Sequence, residues 1–229
     1  MKFDVKTWLH KRGALPALCY LAAAAVWLVL GVFGWAGDAL ARAQGRLRAE
    51  DVALEQMQLV DLAVQPAAQG EGTALVPGAT LVTTSGDPQM ILEDVSDRVV
   101  RTVSYAVAFA GEPREMCLYY TTKAGQEYSA DRRVYPEARG GKLVYTLPRG
   151  HIVALRLDPC SPDANRTVEL TFAGAQIQLN APETLPAGWR YLCPSWYQAF
   201  CLLLYPGLAA AAISWLAAVA ARLRRGKAQ

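Results

Sequence analysis

Lys142–Pro159 reads KLVYTLPRGHIVALRLDP, two short apolar runs joined by Pro148-Arg149-Gly150. In the second run Val153, Leu155 and Leu157 share one face, while Ile152, Ala154, Arg156 and Asp158 share the other. This period of two predicts a strand with one face in a core. Similar runs recur at Met57–Val64, Thr73–Val76, Ala79–Thr83, Gln89–Leu92, Val99–Ala110, Met116–Thr122 and Thr167–Leu179. Turn signals separate them, among them Pro77-Gly78, Ser85-Gly86-Asp87-Pro88 and Gly111-Glu112-Pro113. Val99–Ala110 sets Val103, Tyr105, Val107 and Phe109 against Ser104, Ala106, Ala108 and Ala110, the pattern of a strand buried on both sides or closely packed by a neighbour. In Thr167–Leu179 the apolar phase changes between Phe172 and Ile177, which predicts a β-bulge around Ala173-Gly174. Short strands at regular spacing, with no helical period among them, predict an antiparallel, jelly-roll-like β-sandwich.

The two ends of the 229-residue chain differ from this middle. Gly13–Gly37 and Trp196–Ala221 hold no charged side chain, and each is long enough to cross roughly 30 Å of hydrocarbon as a helix. The expected organisation is therefore a cytoplasmic tail (residues 1–12), a first transmembrane helix (13–37), a helical stalk (38–55) and an extracytoplasmic β-sandwich (56–182). A membrane-proximal linker (183–195), a second transmembrane helix (196–221) and a second cytoplasmic tail (222–229) follow. The first apolar segment has a rival reading as a cleaved signal peptide with Ala39-Leu40-Ala41 as its small-x-small site. Its apolar run is nearly twice the usual length for that, which favours an uncleaved anchor.

Charge sets the orientation. Lys2, Lys6, Lys11 and Arg12 against Asp4 give the first tail +3, and Arg222, Arg224, Arg225 and Lys227 give the last +4, so within a net charge of +3 the middle carries −4. Basic flanks stay on the cytoplasmic side, which places both termini inside a bacterial cytoplasmic membrane and residues 38–195 outside it. The tails face anionic lipid headgroups rather than nucleic acid. Trp189, Tyr191, Trp196 and Tyr197 crowd the boundary before the second span as an aromatic belt. Gly207 and Ala211 stand at small-xxx-small spacing, which predicts close helix packing, between the two spans or with another membrane protein. In the stalk, DALARAQGRLRAE (Asp38–Glu50) favours helix, and Gly45 is its weak point.

Chemistry has few footholds. No GxSxG, P-loop, HExxH or dinucleotide fingerprint occurs, no histidine cluster supports a metal site, and no cofactor is expected. Cys160 with His151 is the nearest approach to a catalytic dyad, with nothing in the sequence to lower the thiol pKa. Cys117, Cys160 and Cys193 fall in the outside segment, where disulfides are permitted. Cys117–Cys160 is the candidate bridge, and free buried thiols are the alternative. The carboxylates of Asp158-Pro-Cys-Ser-Pro-Asp163 suggest a Ca²⁺ loop without regular ligand spacing. Asn165-Arg166-Thr167 matches a glycosylation acceptor. The strongest candidate site is aromatic: Tyr119, Tyr120, Tyr128 and Tyr135 are interleaved with Arg132 and Arg133. Flat rings stack on pyranose faces while guanidinium groups bond hydroxyls; the plainer alternative is that the tyrosines pack the sheet.

The segment Thr83–Leu170 resembles extracytoplasmic β-sandwich domains of bacterial membrane proteins of cell-surface polysaccharide assembly, including accessory regions of membrane glycosyltransferases. The features that carry it are TSGDPQMIL at Thr84–Leu92, MCLYYTT at Met116–Thr122 and VALRLDP at Val153–Pro159. They cover under half the chain and are structural rather than catalytic, so no functional residue is carried over. The resemblance implies a non-enzymatic accessory subunit that binds a glycan, a membrane glycosyltransferase or a polysaccharide exporter. The competing expectations are a purely structural scaffold and, with least support, a glycan-acting enzyme.

Overall fold

The computed structural model describes residues 13–65, 79–163 and 166–226. The expected strand Thr73–Val76, the acceptor Asn165 and the first tail lie outside them. Among the described residues the chain divides into a β unit within Asp38–Leu185 and a helical unit formed by residues 13–37 with residues 186–226.

The β unit contains β1 (Glu50–Ala53), β2 (Gln58–Val60), β3 (Leu62–Gln65), β4 (Thr80–Thr83), β5 (Gln89–Leu92), β6 (Thr102–Tyr105) and β7 (Val107–Ala110). It continues with β8 (Cys117–Thr121), β9 (Arg133–Val134), β10 (Glu137–Arg139), β11 (Lys142–Thr146), β12 (Ala154–Asp158), β13 (Glu169–Phe172) and β14 (Gln176–Leu179). Described pairings are antiparallel, in sheets ordered β1-β14-β6-β11-β10, β2-β5-β12-β8-β9 and β3-β4-β13-β7.

The first and third sheets are one layer with a corner in it. β6 and β7 are parted only by Ala106, β13 and β14 only by Ala173–Ala175, and the Ala173 N–H donates to the Ala106 carbonyl at 2.9 Å. The slip expected at Ala173-Gly174 takes the form of a 3₁₀ turn with positive φ at Gly174 (75°) and Ala175 (52°). Without this extra turn, strict alternation would put Ile177 and Leu179 on the face opposite Leu170 and Phe172; with it, all four reach the core. Asp61 does similar work between β2 and β3, where a φ of 56° turns the chain from the second sheet into the third.

One hydrophobic cluster joins the sheets. The first contributes Val103, Tyr105, Tyr145, Ile177 and Leu179, the second Met90, Leu118, Leu155 and Leu157, and the third Leu81, Leu170 and Phe172. Tyr105 is the hub: its ring lies 5.9 Å from Tyr145 and 5.2 Å from Phe172, and the two tyrosine hydroxyls bond each other at 2.9 Å. Each fully buried side chain of this size stabilises the fold by roughly 1.5–3 kcal/mol before entropy is counted. Every residue of β6 is buried, as its two-sided pattern predicts, whereas β7 keeps Ala108 and Ala110 exposed. On the face of β6 away from the core, Thr102 shares a 2.6 Å hydroxyl bond with Thr184, and Lys142 donates to Gln178 and Glu183 at 2.7 Å each.

The expected helical stalk over 38–55 is corrected. The first helix, α1, spans Ala14–Ala43, and β1 already begins at Glu50. Gly45 adopts φ 69°, and the Arg46 and Leu47 amides fold back onto the Ala41 carbonyl at 2.9 and 3.0 Å, a left-handed stop that Ala and Arg propensity alone does not anticipate. Asp38 is wholly buried and accepts hydrogen bonds from Arg101 Nε (3.0 Å) and Arg149 Nη1 and Nη2 (3.1 and 2.9 Å).

In the helical unit, α1 and α2 (Trp196–Gly226) are both long and apolar enough to cross a membrane. Tyr20 Oη donates to the Leu203 carbonyl at 2.8 Å and Trp27 Nε1 to the Leu192 carbonyl at 3.0 Å. At Gly31 the chain segments approach closely: a Cβ there would come within 3.0 Å of the Tyr191 carbonyl oxygen and within 2.5 Å of Leu192 Cδ2. The expected Gly207/Ala211 pair is split in the chain's own helix pair. Gly207 lies against Tyr20, but Ala211 is exposed, and Pro206 and Ala210 are the buried i, i+4 pair of α2. One residue of helix turns a side chain by about 100°, enough to move the contact stripe from Ala211 to Ala210.

Candidate functional site

The second sheet has an outer face, and β8 shows which residues reach it. Leu118 and Tyr120 point inward, with Tyr120 packed against the core cluster. Cys117, Tyr119 and Thr121 therefore point outward. Tyr120 is thus corrected from ligand candidate to core residue. Its phase is that of Leu118, and burial claims both.

Strand register sets the outer face in a row: Gln58, Ile91, Arg156, Tyr119 and Arg133 lie side by side across β2, β5, β12, β8 and β9. The Arg156 guanidinium is 5.1 Å from the Tyr119 ring centre, and that of Arg133 is 6.0 Å from Tyr119 and 4.9 Å from Tyr135. Glu115 gathers the outer end, accepting from Arg133 Nη1 at 3.2 Å and from Tyr135 Oη at 3.1 Å. Such stacking draws on the negative ring face and fixes the planar guanidinium. Tyr135 remains half exposed, so a ring is presented to solvent on an ordered base.

Arg156 is held from its other side by a fork–fork pair with Asp158, Nε to Oδ1 and Nη2 to Oδ2, both 2.8 Å, and by Asp87 at 3.1 Å. Burial raises the Asp158 carboxyl above its ordinary value, with the Arg156 hydrogen bonds and charge offsetting only part of that. Cys117 Sγ lies 3.9 Å from Asp158 Oδ2, and burial together with that carboxylate pushes its thiol up to about 11. Cys160 is pushed up to about 12 by burial and Asp158.

Both cysteines are free, so the candidate Cys117–Cys160 bridge is not formed. The reason is geometric: Cys160 belongs to the core cluster, whereas Cys117 faces Asp158 outside it. The Cys160–His151 dyad also fails, because His151 is exposed and Cys160 buried. In the proposed Ca²⁺ loop, Asp158 is taken by Arg156 and Asp163 by Arg114.

Tyr128 is half-buried beside the row. It lines a cleft of about 380 Å³ with Glu93, Asp94, Thr121, Lys123, Gln126 and Ala154. Gln126 Oε1 accepts from the Thr122 amide (2.9 Å) and hydroxyl (3.2 Å), which fixes the amide and leaves its NH₂ group to donate elsewhere. Burial raises the Tyr128 phenol while the Arg156 charge lowers it, so ring and guanidinium feel one another. Arg132 is a correction: its Nη2 donates to the Glu127 carbonyl at 2.7 Å and its Nε is buried, a loop brace rather than a ligand contact.

The structure thus brings together Tyr119, Arg133 and Tyr135, sets Tyr128 beside them, and removes Tyr120 and Arg132. It adds Glu115, Asp87, Arg156 and Asp158. The alternation of β12 already pointed Arg156 and Asp158 away from the core; their meeting with Tyr119 depended on register.

No protein-family model matches the sequence, and no curated protein matches it. Among solved structures the chain is similar to a low-affinity xylan-binding module, CBM86, from Roseburia intestinalis, with TM-score 0.36 and 16% identity over 58% of this chain and 94% of that one. A β-1,3-glucan-binding CBM6 from Bacillus halodurans gives TM-score 0.36 and 10% identity, over 58% of this chain and 96% of that one. The C-terminal CBM6 of LamC from Zobellia galactanivorans gives TM-score 0.34 and 10% identity, over 58% of this chain and all (100%) of that one. These neighbours are carbohydrate-binding-module β-sandwiches, at TM-scores too low to assign a ligand here.

Proposed function

We propose that this chain is a two-span membrane protein of the bacterial cell envelope whose extracytoplasmic jelly-roll-like sandwich binds a glycan, as an accessory subunit in polysaccharide assembly. The observation that carries the binding reading is the half-exposed Tyr135 ring, stacked on Arg133 and tied to Glu115, with the Tyr128 cleft on the same sheet face. An ordered aromatic platform flanked by fixed polar groups is how a protein holds an amphipathic sugar ring. The strand order supports the jelly roll: β4, β13/β14, β6/β7 and β10/β11 form one layer and β5, β12, β8 and β9 the other, and from β4 to β14 the chain changes layer at each step except within β6/β7, β8/β9, β10/β11 and β13/β14. Two long apolar helices with basic flanks support the two spans and the inward termini. A membrane glycosyltransferase or a polysaccharide exporter is the partner this reading implies.

The test is binding by the full chain in lipid nanodiscs to cell-envelope polysaccharides, comparing wild type with Tyr128→Ala and Tyr135→Ala. Loss of a platform ring should weaken binding at least tenfold, about 1.4 kcal/mol, with the circular dichroism spectrum unchanged. Equal binding by wild type and both variants removes this surface from the function.

A second reading, a scaffold that acts through its helices, rests on how little of the two spans is covered within the chain, 6% and 11% of their apolar windows. It predicts co-purification of another membrane protein that is lost on changing the exposed Ala211→Leu and kept on Tyr135→Ala.

A further inference from the structure

The outer face of the second sheet is longer than one sugar ring. The Tyr128 cleft includes Thr121 and Ala154, at one end of the outward-facing rows of β8 and β12. The Tyr135–Arg133–Glu115 platform stands at the other end, beyond Tyr119. Thr121 and Cys117 are four residues apart on β8, roughly 13 Å at about 3.3 Å per residue. Between the two ends lie Tyr119 and Arg156.

Charge on this path is balanced from within. Arg133 pairs with Glu115, and Arg156 with Asp158 and Asp87. Lys123 shares its cleft with Glu93 and Asp94. An anionic ligand would have to displace a carboxylate already seated on each guanidinium, at the cost of leaving that carboxylate unpaired. For Asp158, which is buried, that cost is greatest. What remains on offer along the path is ring faces, the Gln126 amide and the outer edges of paired charges, a set suited to hydroxyls.

On the reading that this surface binds a glycan, we infer that its ligand is the interior of an uncharged, linear saccharide chain. It runs along β8 and β12 from the Tyr128 cleft to the Tyr135 platform and fills at least three rings. Each end ring stacks on a tyrosine, and the middle of the chain crosses Tyr119 and Arg156.

The test is isothermal titration of the full chain in nanodiscs, free of sugar-based detergent, with neutral gluco-, xylo- and manno-oligosaccharides of one to six rings. Oligogalacturonates serve as the anionic comparison. Affinity should climb at least tenfold from one ring to four and then level off. It should change less than about twofold between low and high salt, because no net charge is neutralised. A long neutral polymer should take up several protein copies per chain. Tyr128→Ala and Tyr135→Ala should each reduce four-ring affinity towards that for two rings, with Tyr128→Phe and Tyr135→Phe retaining it.

A monosaccharide that binds as tightly as the tetramer, or a polymer that takes one copy per chain, overturns the inference and leaves glycan binding standing. Preference for oligogalacturonates with steep salt dependence overturns the neutral class. Failure to bind any of these oligosaccharides and any polysaccharide defeats the glycan reading and the inference with it.

Discussion

Asp38 offers the most quantitative test of how the β unit is held. Its carboxylate is fully buried and receives three hydrogen bonds from Arg101 and Arg149. Asp38→Ala removes the anion and leaves two guanidinium groups without it. Removing one partner of a buried ion pair costs about 3–5 kcal/mol. Arg149 has 45% of its side chain exposed and can turn to water, while Arg101, at 15%, cannot do so freely. The expected cost is therefore near the lower bound, about 3 kcal/mol. For a unit of this size that lowers the unfolding midpoint by roughly 6–12 °C. Arg149→Ala should cost only about 1 kcal/mol, since Arg101 still holds the carboxylate. The assay is thermal unfolding of the full chain in nanodiscs, followed by near-ultraviolet circular dichroism at low and high salt. A loss below about 2 °C for Asp38→Ala, or a loss erased by salt, would refute the reasoning, because a buried pair is poorly screened.

Asp158 gives a prediction in pH. Its folded carboxyl is raised mainly by burial, so the stability due to the neutral acid is complete below about pH 3.8 and is lost as pH rises through the folded value. Asp158→Asn should therefore gain on wild type as pH rises above about 3.8, and urea midpoints of the two that run parallel above that pH would contradict it. The thiols give a labelling test: Cys193 is exposed, whereas Cys117 and Cys160 are buried with thiols raised to about 11 and 12. At pH 8 a thiol reagent should mark Cys193 in the native protein and the other two only after unfolding; rapid native labelling of Cys160 would contradict its burial. Phe172→Ala should cost about 3–5 kcal/mol by emptying the space against Tyr105, measured as a shift in denaturant midpoint.

Much of the fold was legible because alternation is a local signal. Gln89–Leu92 could be bounded from its own residues, and the phase change between Phe172 and Ile177 located the turn where the layer bends. Tyr119 and Tyr120 show where local signal ends. Adjacent tyrosines on a strand must face opposite ways, and only the aliphatic Leu118, in phase with Tyr120, hints which one the core takes. The alternation of its own strand is enough to place Arg156 on the outer face, but its neighbours there, Tyr119 and Asp87, come from segments far away in sequence. Register brought them together, and no property of one segment encodes register. The stalk failed for a related reason: Ala and Arg favour helix locally, whereas the pairing of Glu50–Ala53 with β14 is a tertiary gain that overrides propensity. In α2 a shift of one residue, from Ala211 to Ala210, was beyond what small-residue spacing resolves.

The measurement that bears most directly on the central claim is hydrogen–deuterium exchange of the full chain in nanodiscs, with and without a saturating neutral oligosaccharide. Added protection is expected in peptides covering Glu115–Thr121, Lys123–Tyr135 and Ala154–Asp158, and none in β1, β10 or β14 of the other layer. Protection confined to that other layer, or none anywhere at saturation, would contradict it.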